Sequence, residues 1–245
     1  MKKRFIASLL LCLTSSLATA AGTVQVYSAP GAQPKTLSGA EHLIDLVGQP
    51  QLANSWWPGA VISERQATAV AQQQHQALLA RLAAMAREES GDDSAAINAL
   101  RQQLTAINVT GRQFINLDPD TVRVSNSGNP RLQGEYSLWA GPRPDSVTIF
   151  GLVSRPGILP FTPGRDVASY LDGVNLLSGA DRSYAWVIYP DGRTQKVPVA
   201  YWNHRHVELM PGSTIVVGFA DSLWSQTPDE LNADIVRSLT QRVPE

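Results

Sequence analysis

Ser146-Val-Thr-Ile-Phe-Gly-Leu-Val-Ser-Arg-Pro-Gly157, an apolar bridge, and then Phe161-Thr-Pro-Gly-Arg-Asp-Val-Ala-Ser-Tyr170 decide how this chain folds. Val147, Ile149 and Phe150 set a strand. Arg155-Pro156-Gly157 is a tight turn, since Pro presets φ and Gly accepts backbone angles that other residues reject. The bridge returns as a second strand, and Thr162-Pro163 begins a helix carrying Val167, Ala168 and Leu171, with Pro where its missing N–H costs nothing. No catalytic motif lies in this strand, turn, strand and helix, which points away from an enzyme.

A smaller relative of the unit stands near the N-terminus. Thr23 to Tyr27 alternates Val24 and Val26 with polar residues, the period of a half-buried strand, and Ala29-Pro30-Gly31 turns it. Ser38-Gly39-Ala40-Glu41 has the spacing of a capping box ahead of a short helix with Leu43, Ile44, Leu46 and Val47, stopped by Gly48 and Pro50. From a further box at Ser63-Glu64-Arg65-Gln66 the chain reaches Glu89 without Gly or Pro. Leu78, Leu82 and Met85 mark one long helix there. Ile97, Leu100, Leu104 and Ile107 mark a second after a break at Gly91-Asp92-Asp93, and a helical hairpin follows.

Strand signals resume at Gln113–Leu117, Thr121–Val124 and Glu135–Trp139, so the hairpin reads as an insertion, residues 61–108, in a β-rich first domain spanning 21–144. Gly141-Pro142-Arg143-Pro144 is the linker. In the second domain, 145–220, Ala185–Tyr189 and Arg193–Val199 form a hairpin about Pro190-Asp191-Gly192. Short strands at Arg205–Leu209 and Thr214–Phe219 flank Pro211-Gly212. In the tail, 221–245, Thr227-Pro228-Asp229-Glu230 starts a helix whose Leu231, Ile235, Val236 and Leu239 form one apolar stripe. Such a helix packs on its own protein, a partner or a membrane surface.

The first 20 residues have the layout of a secretory signal peptide: Lys2-Lys3-Arg4, an apolar run from Phe5 to Leu13, and Ala18-Thr19-Ala20 ahead of a cut after Ala20. Export to the periplasm is the expectation. The run is shorter than the ~20 residues of a membrane span. The single cysteine, Cys12, falls inside it, so a mature chain of 225 residues (245 less 20) would have neither disulfides nor cysteine-ligated metal. Removing Lys2, Lys3 and Arg4 leaves 17 of 20 basic residues against 21 acidic ones, a formal net charge of −4. Nothing in that balance attracts nucleic acid.

The order of these elements, with Arg155-Pro156-Gly157, Pro163-Gly164-Arg165, Leu177-Ser178-Gly179-Ala180-Asp181 and Pro211-Gly212-Ser213, resembles the soluble-ligand-binding β-grasp (SLBB) module of bacterial polysaccharide export proteins. Ser55-Trp56-Trp57-Pro58-Gly59, Val109-Thr110-Gly111-Arg112, Leu117-Asp118-Pro119-Asp120, Tyr201-Trp202-Asn203-His204-Arg205-His206-Val207-Glu208 and Leu239-Thr240-Gln241-Arg242-Val243-Pro244 resemble the GfcC capsule-biosynthesis family. The resemblance covers essentially the whole chain after the signal segment. It implies an α+β protein of two tandem β-grasp (ubiquitin-like) domains, the hairpin inserted in the first, and a C-terminal amphipathic helix folded back on the protein. It also implies a non-catalytic periplasmic role in exopolysaccharide or capsule assembly or export. The expected partners are other secretion proteins of the outer membrane or periplasm, with polysaccharide as a further candidate, and no cofactor. Unlike Wza-like exporters, the chain lacks an N-terminal polysaccharide-export domain and a lipid-anchor cysteine, which argues against a pore.

Candidate binding residues follow. The resemblance places Arg112 in a central pocket, where its planar fork would suit a uronate, phosphate or sulfate; a buried arginine satisfied by carbonyls is the other reading. Trp56, Trp57 and, less so, Tyr136 and Trp139 offer faces for sugar stacking, or plain core packing. On a strand, His204, His206 and Glu208 would share one face and form a weak metal candidate, beside the commoner reading of a solvated edge. Asp118 and Asp120 would serve a hydrolase or lyase only if they flanked a cleft, and Asp-Pro-Asp is also an ordinary turn.

Overall fold

The structure is a computed structural model describing residues 22–29, 31–221 and 228–244. The expected signal segment, Pro30 of the first turn and Thr227 ahead of the tail helix lie outside them. Ten strands and six α-helices are present among the described residues.

The first five strands are β1 (Gly22–Tyr27), β2 (Lys35–Ala40), β3 (Val61–Glu64), β4 (Arg112–Gln113) and β5 (Glu135–Trp139), in the order β2-β1-β5-β3-β4. β1 and β5 run parallel, and the other neighbours are antiparallel. Alternation drives the packing: Val24 and Val26 point inward from β1 and meet Ile62 and Leu138. Two short helices, α1 (Leu43–Val47) and α4 (Pro119–Val124), close this core with Leu43, Leu46, Val47 and Val122.

The next five are β6 (Ser146–Gly151), β7 (Gly157–Pro160), β8 (Tyr184–Ile188), β9 (Thr194–Pro198) and β10 (Thr214–Val217), in the order β7-β6-β10-β8-β9. Numbered within its own half, each sheet has the order 2-1-5-3-4 with a parallel central pair. Val147, Ile149, Val187 and Ile215 are buried together, and α5 (Val167–Leu171) adds Val167 and Tyr170. Gly151, with φ +107°, lets β6 lie against β10: an added Cβ would fall 2.1 Å from the carbonyl oxygen of Val217.

The remaining helices join the halves. α2 (Arg65–Glu88) and α3 (Gly91–Thr105) lie between β3 and β4 in the chain, and α6 (Pro228–Thr240) follows β10. Leu78, Leu82, Ile97, Leu100 and Leu104 of the hairpin belong to the same buried cluster as the second sheet, together with Leu231, Ile235, Val236 and Leu239 of α6. Polar contacts pin the arrangement. The Gln103 amide donates to the Gly151 carbonyl at 2.8 Å and accepts from its N–H at 2.9 Å. Asn232 does the same with the Phe219 backbone at 2.8 and 2.9 Å. The hairpin thus lies between β3 and β4 in chain order and is buried against the second sheet.

Several local expectations change. Ser38 is in strand β2, opposite Thr23, and α1 instead begins at His42, whose N–H donates to Asp45 at 2.9 Å. Only Ala40 of β2 is buried and Leu37 half-buried, so the strand has no readable period. Ser63 is likewise buried within β3, part of the Val61–Glu64 stretch read as insertion; it pairs with Ser137 and Arg112 and caps nothing. Residues 121–124, expected extended, belong to α4, because Asp118 accepts from the N–H groups of Asp120 and Thr121 and Pro119 takes the first helical position. Of Gln113–Leu117 only Gln113 is in a strand. Asp166, not Thr162, caps α5 by accepting from the Ser169 N–H at 3.0 Å. Residues 205–209 form no strand beyond a single bridge from Glu208 to Asp166.

Candidate functional site

Arg112 stands where the two sheets, the hairpin and the tail meet. Its place is fixed by Gly111, whose N–H donates to the Thr68 hydroxyl at 3.0 Å and whose missing side chain lets the backbone pass the first turn of α2. The Arg112 guanidinium donates to the Pro190 carbonyl at 2.6 Å and the Thr240 carbonyl at 3.4 Å, and lies 5.5 Å from the Phe114 ring centre. Burial pushes its pKa down to about 10, against the opposing pull of Asp191, so it remains a cation at neutral pH. A charge-assisted bond to a carbonyl is stronger than a neutral one. Arg112 therefore cross-links the β8–β9 turn and the end of α6 to the first sheet.

Two concave surfaces flank it. A cleft of about 310 Å³ lies on one side, with Tyr27, Trp56, Trp139 and Tyr189 as its aromatic lining and Arg112, Arg143 and Arg242 as its charges. Tyr27 and Trp139 are register partners at the ends of parallel β1 and β5, and their rings stack with centres 5.2 Å apart and 10° between planes. Half-buried Thr148 and buried Thr214, register partners on parallel β6 and β10, also line the cleft. A wider groove of about 550 Å³ on the other side is lined by Trp57, Phe114, Ile115 and Met210, with Asp118, Asp191 and Arg193.

The candidates named from sequence thus divide. Arg112 and Trp56 share the cleft, while Arg112 and Trp57 share the groove. Tyr136 lines neither; it is half-buried on β5 and packs against the first core. His204 contacts Asp166 at 2.6 Å and His206 contacts Glu208 at 3.2 Å. Burial alone would raise the Asp166 carboxyl, but bonds from Ser169 and the His204 contact bring it below its usual value, so it serves as a charged helix cap. Without a strand at 204–208 the one-face premise of a metal site is gone. No group of three or more His, Cys, Asp or Glu among the described residues is placed to hold a metal ion. Asp118 is committed to capping α4, and Asp120 faces Arg123 at 3.1 Å.

Sequence reasoning did not single out Tyr27, Arg143 or Arg242. Tyr27 and Trp139 are more than a hundred residues apart, and only the parallel pairing of their strands stacks them. Arg143 reads from sequence as linker.

A pair of like-ordered mixed sheets, joined by shared helices beside a cleft lined by arginines and aromatic rings, defines a mixed α+β protein. The chain belongs to the GfcC capsule-biosynthesis family: the family descriptions "Capsule biosynthesis GfcC, N-terminal" and "Capsule biosynthesis GfcC C-terminal" match residues 20–143 and 155–244. It is 69% identical over 245 residues to the uncharacterized protein YjbG of Escherichia coli (strain K12), covering 100% of both chains. No described helix is long and apolar enough to cross a membrane.

Proposed function

We propose that this chain is a non-catalytic accessory protein of exopolysaccharide or capsule assembly or export, acting in the periplasm by binding polysaccharide or proteins of the export machinery. The observation that carries the reading is the match to both GfcC descriptions, one over the first sheet and one over most of the second. On this reading the two halves are tandem β-grasp domains, about residues 21–144 and 145–220, the second SLBB-like, with the hairpin inserted in the first. The shared 2-1-5-3-4 strand order and the short helix that follows the second strand of each half, α1 and α5, support it. Segment 1–20 is the export signal, removed after Ala20.

Deleting the gene lowers surface or secreted polysaccharide while cytoplasmic precursors stay at wild-type levels, and an intact copy restores it. Unchanged polysaccharide under conditions that express the secretion genes overturns the role. Incubating the purified protein with the polymer leaves its reducing ends unchanged; new reducing ends or unsaturated sugars replace the accessory reading with a hydrolase or lyase. Osmotic shock releases the processed chain. Retention of residues 1–20 on the isolated protein removes the signal-peptide assignment.

A further inference from the structure

We propose that the cleft at the junction of the two sheets binds a uronic-acid segment of a polysaccharide, with the Tyr27–Trp139 stack as platform, Arg143 as the carboxylate-binding cation, and half-buried Thr148 as a hydrogen-bonding group. The proposal rests on the exopolysaccharide role above and names the ligand of that cleft.

Charge carries the first step. The chain has 21 acidic and 20 basic residues, yet the cleft is lined by three arginines and by no described aspartate or glutamate. A local excess of one sign inside a concave, low-dielectric surface concentrates ligands of the other sign. Arg112 already donates to two carbonyls. Arg143 is exposed on the connection from β5 to β6, 6.0 Å from the Phe161 ring, and its prolines on either side, Pro142 and Pro144, restrict that backbone. The stiffened segment limits the backbone freedom lost on binding, and a guanidinium fork matches a carboxylate with two parallel bonds.

The neutral part of the lining argues for a ring rather than a bare anion. Tyr27 and Trp139 are half-buried, stacked on each other, and present at the cleft. Aromatic rings pair an apolar face with a polar edge, and the C–H face of a sugar is the apolar surface they accept. A threonine hydroxyl both donates and accepts, as sugar hydroxyls require, and half-buried Thr148 lines the cleft. A volume of about 310 Å³ suits a short segment of a polymer.

The test is calorimetric titration of the chain lacking residues 1–20 with tetragalacturonate, maltotetraose and inorganic phosphate, at low and high salt. Tetragalacturonate binds saturably and more weakly as salt rises. Maltotetraose, with the same number of rings and no carboxylates, binds at least about tenfold more weakly, the loss expected for one charge-assisted contact. Arg143→Gln lowers tetragalacturonate affinity about ten- to a hundredfold at unchanged melting temperature. Tyr27→Leu weakens both sugars. Equal affinity for the two sugars, phosphate as effective a ligand as tetragalacturonate, or no saturable heat at millimolar sugar overturns the proposal, as does wild-type affinity in Arg143→Gln. The gene deletion reads the parent role separately: binding without a polysaccharide phenotype refutes the assembly role and keeps the site, whereas a phenotype without binding refutes the site alone.

Discussion

The two sheets share a strand order and differ most in the connection from their third to their fourth strand. In the second sheet this is the tight turn Pro190-Asp191-Gly192, closed by the Tyr189 N–H donating to the Arg193 carbonyl at 2.8 Å. In the first it holds α2 and α3. The two connections also meet, since Arg112 at the end of one donates to Pro190 in the other. The first sheet closes its core with its own α1 and α4, whereas the second takes its cover from α5, the first half's hairpin and the tail. A boundary drawn along the chain and one drawn through packing therefore fall in different places.

Removing α6 tests that comparison hardest. Leu231, Ile235, Val236 and Leu239 are each at most 6% exposed, and full burial of such a side chain contributes about 1.5–3 kcal/mol. A chain ending at Asp221 uncovers the partners of all four on the second sheet and the hairpin. It is expected to associate on size-exclusion chromatography and to melt far below the full chain. A monomer with an unchanged melting temperature would show that the second half closes its own core.

A single-residue pair makes the same comparison with a smaller effect. Leu100 in α3 is 1% exposed and belongs with the second sheet, while Leu46 in α1, also 1% exposed, belongs with the first. Each Leu→Ala change costs about 2–5 kcal/mol. Hydrogen exchange locates the loss: Leu100→Ala deprotects β6, β8 and β10 before β1 and β5, and Leu46→Ala reverses that order. If Leu100→Ala deprotects β1 and β5 first, the hairpin serves the sheet whose strands it separates in sequence.

What the sequence makes legible follows the same physics. Strands with a buried alternating or continuous apolar face, β1, β5, β6, β8 and β10, are readable from their residues, and so are the helices with a 3.6-residue stripe. β2 and β4 are edge strands held by neighbours, β2 with mostly exposed side chains and β4 only two residues long, so their signal lies in the partner. Ser38 and Ser63 mimic helix caps because the capping spacing says nothing of a strand partner waiting across the sheet. The site shows the same division. Arg112 stands out after Gly111 and Trp56 by its residue type, but the Tyr27–Trp139 platform exists only through a long-range parallel register.

The smallest of these effects sits where all three borrowed helices touch. His75 of α2 is 5% exposed, its Nδ1 is 2.7 Å from the Ser238 hydroxyl of α6, and its ring bonds the Leu104 backbone of α3. Burial lowers its pKa from 6.5, with the Leu104 bond opposing. Arg81 and Arg237 beside it also disfavour a second proton on the ring, and Asp234 favours one. The sign follows: as pH falls below about 6.5 the unfolded chain takes up a proton that folded His75 resists, so this contribution is present above that pH and is lost on acidification. A shift of one pKa unit corresponds to about 1.4 kcal/mol. Thermal melts of the wild type and His75→Gln between about pH 7 and pH 5 are expected to converge as pH falls, because the amide carries no such proton. A gap that stays constant over that range would mean that His75 holds the three helices together by packing and hydrogen bonding alone, with no part in their response to acid.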